Sequence, residues 1–202
     1  MSTALVFSPH FDDESIGPGG TLARHILDGD RVVVVFMTRG DAGSLWPGQP
    51  MDGQTSERVR KTEASAALEA LGGAEVAYLD LTDGFMRWEA VTVREIIRLI
   101  WRYRPDIVYA PHGDEVHTDH QATHQMVRDA IPRASWNIFP EPGATAWAVK
   151  HVRYYEIWTP ISRPNLFIDI SAVGERKRAA IDQYVSQLAA VAYTDAALGL
   201  NR

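Results

Sequence analysis

The segment Ala4-Leu5-Val6-Phe7-Ser8-Pro9-His10-Phe11-Asp12-Asp13-Glu14, followed by Gly17-Pro18-Gly19-Gly20, decides the fold. Its first four residues are an apolar run of strand length. The glycines open a stretch of helical period at 19–28, with Leu22, Ile26 and Leu27 on one side. A strand that feeds a helix through one imidazole and three carboxylates predicts a site at the mouth of an open α/β sheet, where ligands bind beyond the strand ends. Imidazole mixed with carboxylate is also a donor set for a divalent cation. A spare carboxylate beside the ion can act as a base in hydrolysis.

The neighbouring sequence extends this unit. Arg31-Val32-Val33-Val34-Val35-Phe36-Met37 is a β-branched run, expected as a central strand buried on both faces. Residues 38–53 read as a long Gly- and Pro-rich loop, of the kind that often carries function. Helices are expected at 55–71, 92–103 and 119–131, the last two stopped by Pro105 and Pro132, and strands at 75–79 and 107–110. Further strands are expected at 152–158 and 166–169, and a final helix at 172–190. The alternation predicts an α/β fold with a mostly parallel central sheet and helices on both faces.

The 202 residues suit one domain, 1–202, although nothing at Leu198-Gly199-Leu200-Asn201-Arg202 signals a finished domain edge, so a continuation of the natural chain is left open. A formal charge of −6 argues against a broad nucleic-acid surface. There is no cysteine, so any metal must be held by His, Asp, Glu or water. No apolar run reaches membrane-span length and the N-terminus lacks signal-peptide features, so a cytoplasmic protein is expected.

Four of the seven histidines fall at 112–124: His112, His117, His120 and His124, with Asp114, Glu115 and Asp119 among them. This cluster also follows a strand, so it and the first cluster are expected at one sheet edge. His10, Asp13 and His120 are the expected ligands, a set that leaves positions open for water. Asp12 is placed to take a proton from that water. His117 is placed to protonate a leaving group or stabilise an oxyanion, and Asp119 to orient an imidazole. Taken alone, the acids at 12–14 would equally suit a helix N-terminus, and the histidines a solvated loop. It is their pairing at matching strand ends that favours a metal. His124 reads as packing, and His25 and His151 as surface or satisfied histidines. The glycines at 17–20 lack G-x-G-x-x-G spacing and a P-loop lysine, and are read as permitting close packing.

The sequence Pro9-His10-Phe11-Asp12-Asp13-Glu14 resembles the P-H-P-D-D-E signature of the LmbE-like, or PIG-L-type, N-acetylglucosaminyl deacetylases, and His117-Thr118-Asp119-His120 resembles their H-P-D-H. Phe11 and Thr118 stand where that family has proline. The likeness extends to Thr38-Arg39-Gly40-Asp41-Ala42-Gly43, the stretch from Arg58 to Glu63, Leu81-Thr82-Asp83-Gly84, Tyr184 and Ser186-Gln187. It implies a Rossmann-like three-layer sandwich and zinc-dependent removal of acetyl from an N-acetylated amino sugar conjugate, with Fe²⁺ and other divalent ions as alternatives to Zn²⁺. By motif position, His10, Asp13 and His120 would be the ligands and Asp12 the base. His117 would hold the oxyanion and Asp119 would tune His117. Arg58 and Asp83 would contact the sugar, with Arg39 and His112 as further loop candidates. An amidase of the same fold, acting on a non-sugar or thiol-conjugate amide, and a non-catalytic binding module stay as alternatives. A homo-oligomer is left open. Trp136, Trp147 and Trp158 are candidates for stacking on substrate or for packing.

Overall fold

A computed structural model describes residues 1–42, 52–136, 143, 145–189 and 191–201. Five strands, β1 (Thr3–Ser8), β2 (Arg31–Thr38), β3 (Glu75–Leu81), β4 (Ile107–Pro111) and β5 (His151–Tyr155), form one sheet in the order β3-β2-β1-β4-β5. Every pairing is parallel, with Phe7 beside Val35 and Ala4 beside both Val32 and Ile107. The chain grows outward from β1 through β2 to β3, then returns to β1's other side for β4. The topological switch point therefore lies between β1 and β4.

Alternate residues of the central strands feed two cores, as the period of two requires. Ala4, Val6, Val34 and Phe36 pack with Leu22 and Ala23 of α2 (Gly19–Leu27), Leu68 and Leu71 of α3 (Gly53–Leu71), and Ile181 of α6 (Gly174–Ile181). Leu5, Phe7, Val33 and Val35 pack with Ile96 and Ile100 of α4 (Ala90–Tyr103), and Met126 and Val127 of α5 (Thr118–Ser135). Val32 to Thr38 of β2 are buried, which is why that strand reads as an unbroken apolar run. The result is the expected three-layer α/β sandwich. Among the described residues, no helix is long and apolar enough to cross a membrane.

The glycines at 17–20 serve close approach. A Cβ on Gly17 would lie 2.6 Å from Tyr155 Cδ2, and one on Gly20 2.6 Å from Ile170 Cδ1.

Three expectations are corrected. Residues 166–169 form no strand: they run irregularly over the surface, with Phe167 81% exposed. The expected helix at 172–190 is divided into α6 and α7 (Val185–Leu188), and the chain ends in α8 (Tyr193–Leu200). Pro132 lies inside α5 rather than ending it. It sits on the exposed side, as does Arg128, whose carbonyl loses a donor. The turn beyond it is held by Trp101 Nε1 and Trp147 N, both donating to Ala134 O at 2.8 Å. A short helix, α1 (Asp13–Ile16), was not expected as a separate element. Most of the expected loops at 38–53 and 136–147 falls on residues 43–51, 137–142 and 144, outside those described.

Candidate metal and catalytic site

The loop after β1 is pinned to the end of β2, because Thr38 donates to Pro9 O from both N–H (3.1 Å) and Oγ1 (2.8 Å). His117 caps α5, its Nδ1 accepting from Asp119 N–H at 3.2 Å. These anchors bring the two motifs together across the switch point. His10 Nδ1 lies 3.2 Å from Asp13 Oδ2 and 3.3 Å from His120 Nε2, and His120 Nε2 lies 3.2 Å from Asp13 Oδ2. Tetrahedral zinc with bonds of 2.0–2.1 Å needs neighbouring donors about 3.3 Å apart. The three atoms thus form a triangle of the right size for such an ion. Asp13 Oδ1, also buried, has no hydrogen-bond partner among the described residues.

Tautomers follow from the outer partners. His10 Nε2 faces Asp119 Oδ2 at 3.1 Å and Asp83 Oδ1 at 3.3 Å, so it carries a proton and leaves the Nδ1 lone pair to the triangle. His117 also has a ring nitrogen within 4.8 Å of His10 and His120. Its Nδ1 already accepts an amide proton, so neutral His117 carries hydrogen on Nε2 and offers a donor rather than a ligand lone pair. His10, Asp83 and Asp119 also bring ligand atoms within 4.8 Å, but the contacts of the two carboxylates orient the ring of His10. The expected Asp119–His117 pairing is not a direct side-chain contact: the charge of Asp119 acts on His117 only at a distance. The Asp119 carboxylate accepts from Gly84 N–H (2.8 Å) and Met86 N–H (3.0 Å) and faces His10, touching His117 only through its backbone amide.

The field at the triangle favours positive charge. Burial works against charge on His10, but Asp119 and Asp13 outweigh it and bring the ring up to about 10. Burial likewise opposes His120, and Asp13 carries it up to about 9. Burial would raise Asp13, yet His120 and His10 hold it far below the usual carboxylate range. Asp12 behaves oppositely: burial and the charge of Asp13 push it well above that range. Its φ of 117° is rare for a residue with a side chain, a strained backbone of the kind that functional sites retain. Asp12 N–H donates to Glu14 Oε2 at 3.2 Å, and Tyr184 Oη and Ser15 Oγ donate to Glu14 Oε1. Burial raises Glu14 to about 7 against those bonds.

The candidates for substrate contact divide. Asp83 is buried within the site, 3.3 Å from His10. Arg58 points away: it is exposed and donates to Thr55 Oγ1 on its own helix. Arg60, which sequence reasoning missed, faces the site instead. Its guanidinium lies 3.8 Å from Asp83 Oδ2, and Gln187 presents its amide oxygen to Arg60 Nη2 at 3.0 Å and Nε at 3.3 Å. The signal was available, since Ser56, Arg60, Ala64, Ala67 and Leu71 follow one helical face whereas Arg58 does not. Arg39 is tied to Asp41 (2.6 Å) and Thr82. His112 spends both ring nitrogens on backbone, at Thr159 O (2.7 Å) and Asp114 N–H (3.3 Å), so it holds loops together. His124 packs as expected, its Nδ1 on Pro111 O and its ring on Tyr154. His25 is likewise satisfied, by Asp30 and Tyr109. Trp147 is structural, bonded to Pro105 O, while Trp158 packs edge-on against Tyr193.

A parallel α/β sandwich with imidazole and carboxylate converging at its switch point defines a class of α/β proteins with a candidate metal site there. Comparison narrows it. The family model described as PIG-L, GlcNAc-PI de-N-acetylase, matches residues 5–131, and the chain belongs to that family. It is 29% identical over 196 residues to the 1D-myo-inositol 2-acetamido-2-deoxy-alpha-D-glucopyranoside deacetylase of Rhodococcus erythropolis, covering 85% of this chain and 65% of that one. It is 29% identical over 198 residues to the diacetylchitobiose deacetylase of Thermococcus kodakarensis, covering 93% and 70%. A 4-oxalmesaconate hydratase of Pseudomonas putida is 31% identical over 195 residues, covering 93% and 74%. The crystal structure of the 4-carboxy-2-hydroxymuconate hydratase of that species superimposes with a TM-score of 0.88 at 28% identity, covering 99% of this chain and 84% of that one. The chain thus spans about two thirds to three quarters of the length of these curated relatives.

Proposed function

We propose that this chain is a single-domain, metal-dependent hydrolase that removes the acetyl group from an N-acetylated amino sugar or its conjugate. The observation that carries this reading is the donor triangle of His10 Nδ1, Asp13 Oδ2 and His120 Nε2, flanked by two groups it does not use, Asp12 and the Nε2–H of His117. In this reading His10, Asp13 and His120 hold zinc, or ferrous iron in its place. Bound there, such an ion would supply Lewis acidity toward a carbonyl and a water. Asp12 accepts a proton from the attacking water. His117 Nε2–H donates to the amide oxygen as it gains negative charge. The protonated Asp12 then returns its proton to the departing nitrogen, leaving acetate and a free amine. Asp119 and Asp83 keep His10 in the tautomer the site needs. Arg60 meets polar or anionic groups of the substrate, and Asp83 accepts from its hydroxyls. Membership of a family described as de-N-acetylases, and the two deacetylase relatives, support the amide as substrate.

The hydratase relatives favour a second reading, in which the same base delivers water to a carbon–carbon double bond. One experiment separates the two. Wild-type protein and a His120→Ala variant are analysed for zinc and iron. The loaded wild type is then given N-acetylglucosamine conjugates, followed by acetate release, and 4-oxalmesaconate, followed by its consumption. About one metal per wild-type chain, lost in the variant, with acetate release, supports the deacetylase. Metal with consumption of 4-oxalmesaconate and no acetate moves the assignment to the hydratase. Absence of metal after reconstitution overturns both.

A further inference from the structure

Glu115, in the loop between β4 and α5, is fully buried, yet the mechanism above does not use it. Its Oε1 accepts from three successive backbone amides after β5: Ile157 N–H at 2.7 Å, Trp158 N–H at 3.1 Å and Thr159 N–H at 3.3 Å. Its other oxygen, Oε2, receives only a long contact from Trp158 N–H and stands 3.5 Å from His120 Nδ1. His120 is also fully buried, and its Nδ1 makes no hydrogen bond among the described residues. A loop anchor needs only a neutral acceptor at Oε1, which glutamine would supply. A buried carboxylate costs far more to keep than a buried amide unless it faces a complementary group. Two imidazoles face it: His112 Nε2 lies 3.5 Å from Oε1 but is spent on Thr159 O at 2.7 Å, which leaves His120 as that group. For Nε2 to offer a lone pair to the triangle, Nδ1 must carry the proton, and a buried N–H needs an acceptor.

We infer that Glu115 is a positioning residue for the metal site. Its carboxylate fixes His120 as the Nδ1–H tautomer, aims Nε2 at His10 and Asp13, and ties that ligand to the backbone at 157–159. This inference rests on the triangle being a metal site. It assigns Glu115 a role toward His120 comparable to that of Asp119 toward His10, so each imidazole ligand is backed by its own acid.

The test is Glu115→Gln. The amide oxygen keeps the three backbone bonds, while the NH₂ group turns a donor toward Nδ1. Zinc affinity, measured by competition against a chelator, should fall by roughly 10- to 100-fold, with the thermal unfolding curve essentially unmoved. In parallel, ¹⁵N-resolved NMR of zinc-loaded wild type should show a slowly exchanging proton on Nδ1 of His120. Unchanged zinc affinity in a folded Glu115→Gln protein overturns the inference. If that variant does not fold, the wild-type spectrum still decides: His120 bound to zinc through Nδ1, or lacking a protected Nδ1 proton, overturns it. Failure of wild type itself to bind zinc is a different result and removes the metal reading beneath it.

Discussion

Asp12 combines burial, a positive φ and a position beside Asp13, a proposed ligand. Asp12→Asn retains the shape and the three ligands but cannot take a proton. Turnover should fall roughly 10²- to 10⁴-fold while metal content stays at the wild-type level. Full activity in the metal-loaded variant would remove Asp12 from its role. Arg60 and Arg58 give a paired comparison. Arg60→Ala deletes a charged donor beside Asp83 and should cost kcat/KM about 1.5–3 kcal/mol, or roughly 10- to 150-fold. Arg58→Ala, on the exposed side of α3, should leave kinetics within about twofold. Equal effects would show that α3 presents the wrong face. The donor set was legible because His10 and Asp13 lie in one turn, and His117 and His120 in another, so short spacings define them. Arg60 was obscured because a motif match weighs Arg58 and Arg60 alike, whereas the helix face separates them. The partner of Asp119 was hidden for another reason. Which imidazole its carboxylate meets depends on the loop at 84–86 closing over α5, a contact between distant residues that local spacing does not encode.

The strands and the longer helices follow from their patterns. Val33 to Met37 are fully buried, and α4 is strongly one-sided, with Val93, Ile96, Ile97 and Ile100 on the sheet. Where pattern and packing part company, packing decides. Leu166-Phe167-Ile168 is a short apolar run like a strand, but it pairs with no strand of the sheet among the described residues and Phe167 faces water. The segment at 172–190 has helical composition. It breaks after Ile181, where Tyr184 must turn inward to reach Glu14 and Ser186 to reach Glu63. The junction of α1 and α2 offers a direct test of close packing. Gly17→Ala sets a Cβ against the Tyr155 ring and 3.0 Å from Glu156 O. It should lower stability by about 1–3 kcal/mol, read as a shifted urea midpoint. Gly174→Ala, with nothing within 4 Å of its Cβ, is the control and should not lower it. Equal midpoints for both variants and wild type would mean that Tyr155 moves aside freely.

The molecule carries one buried amine that is not a member of the triangle. Lys177 of α6 is 2% exposed, and Nζ donates to Gly17 O at 3.0 Å and Asn201 Oδ1 at 2.7 Å, joining α1, α6 and the end of α8. Burial lowers it from its ordinary 10.5 to about 8, with Glu156 opposing. Between pH 8 and 10.5 the unfolded chain therefore holds more protons at this site than the folded one, and raising the pH stabilises the fold. Relative to Lys177→Met, wild type should gain up to about 3 kcal/mol across that window, measured as unfolding free energy in urea. Parallel profiles for the two proteins would refute a strained ammonium there. The sheet order has a consequence for synthesis. β1 finds β2 early, but its other neighbour, β4, starts at Ile107, and His120 follows later still. With the proposed metal site, a nascent chain that stops short of α5 has two of the three donors and would grip an ion weakly. Tight retention at that site would begin when non-local closure of β4 onto β1 is complete. The ion therefore reports assembly of the molecule rather than formation of its parts, and any injury that parts those two strands should release it while the helices persist.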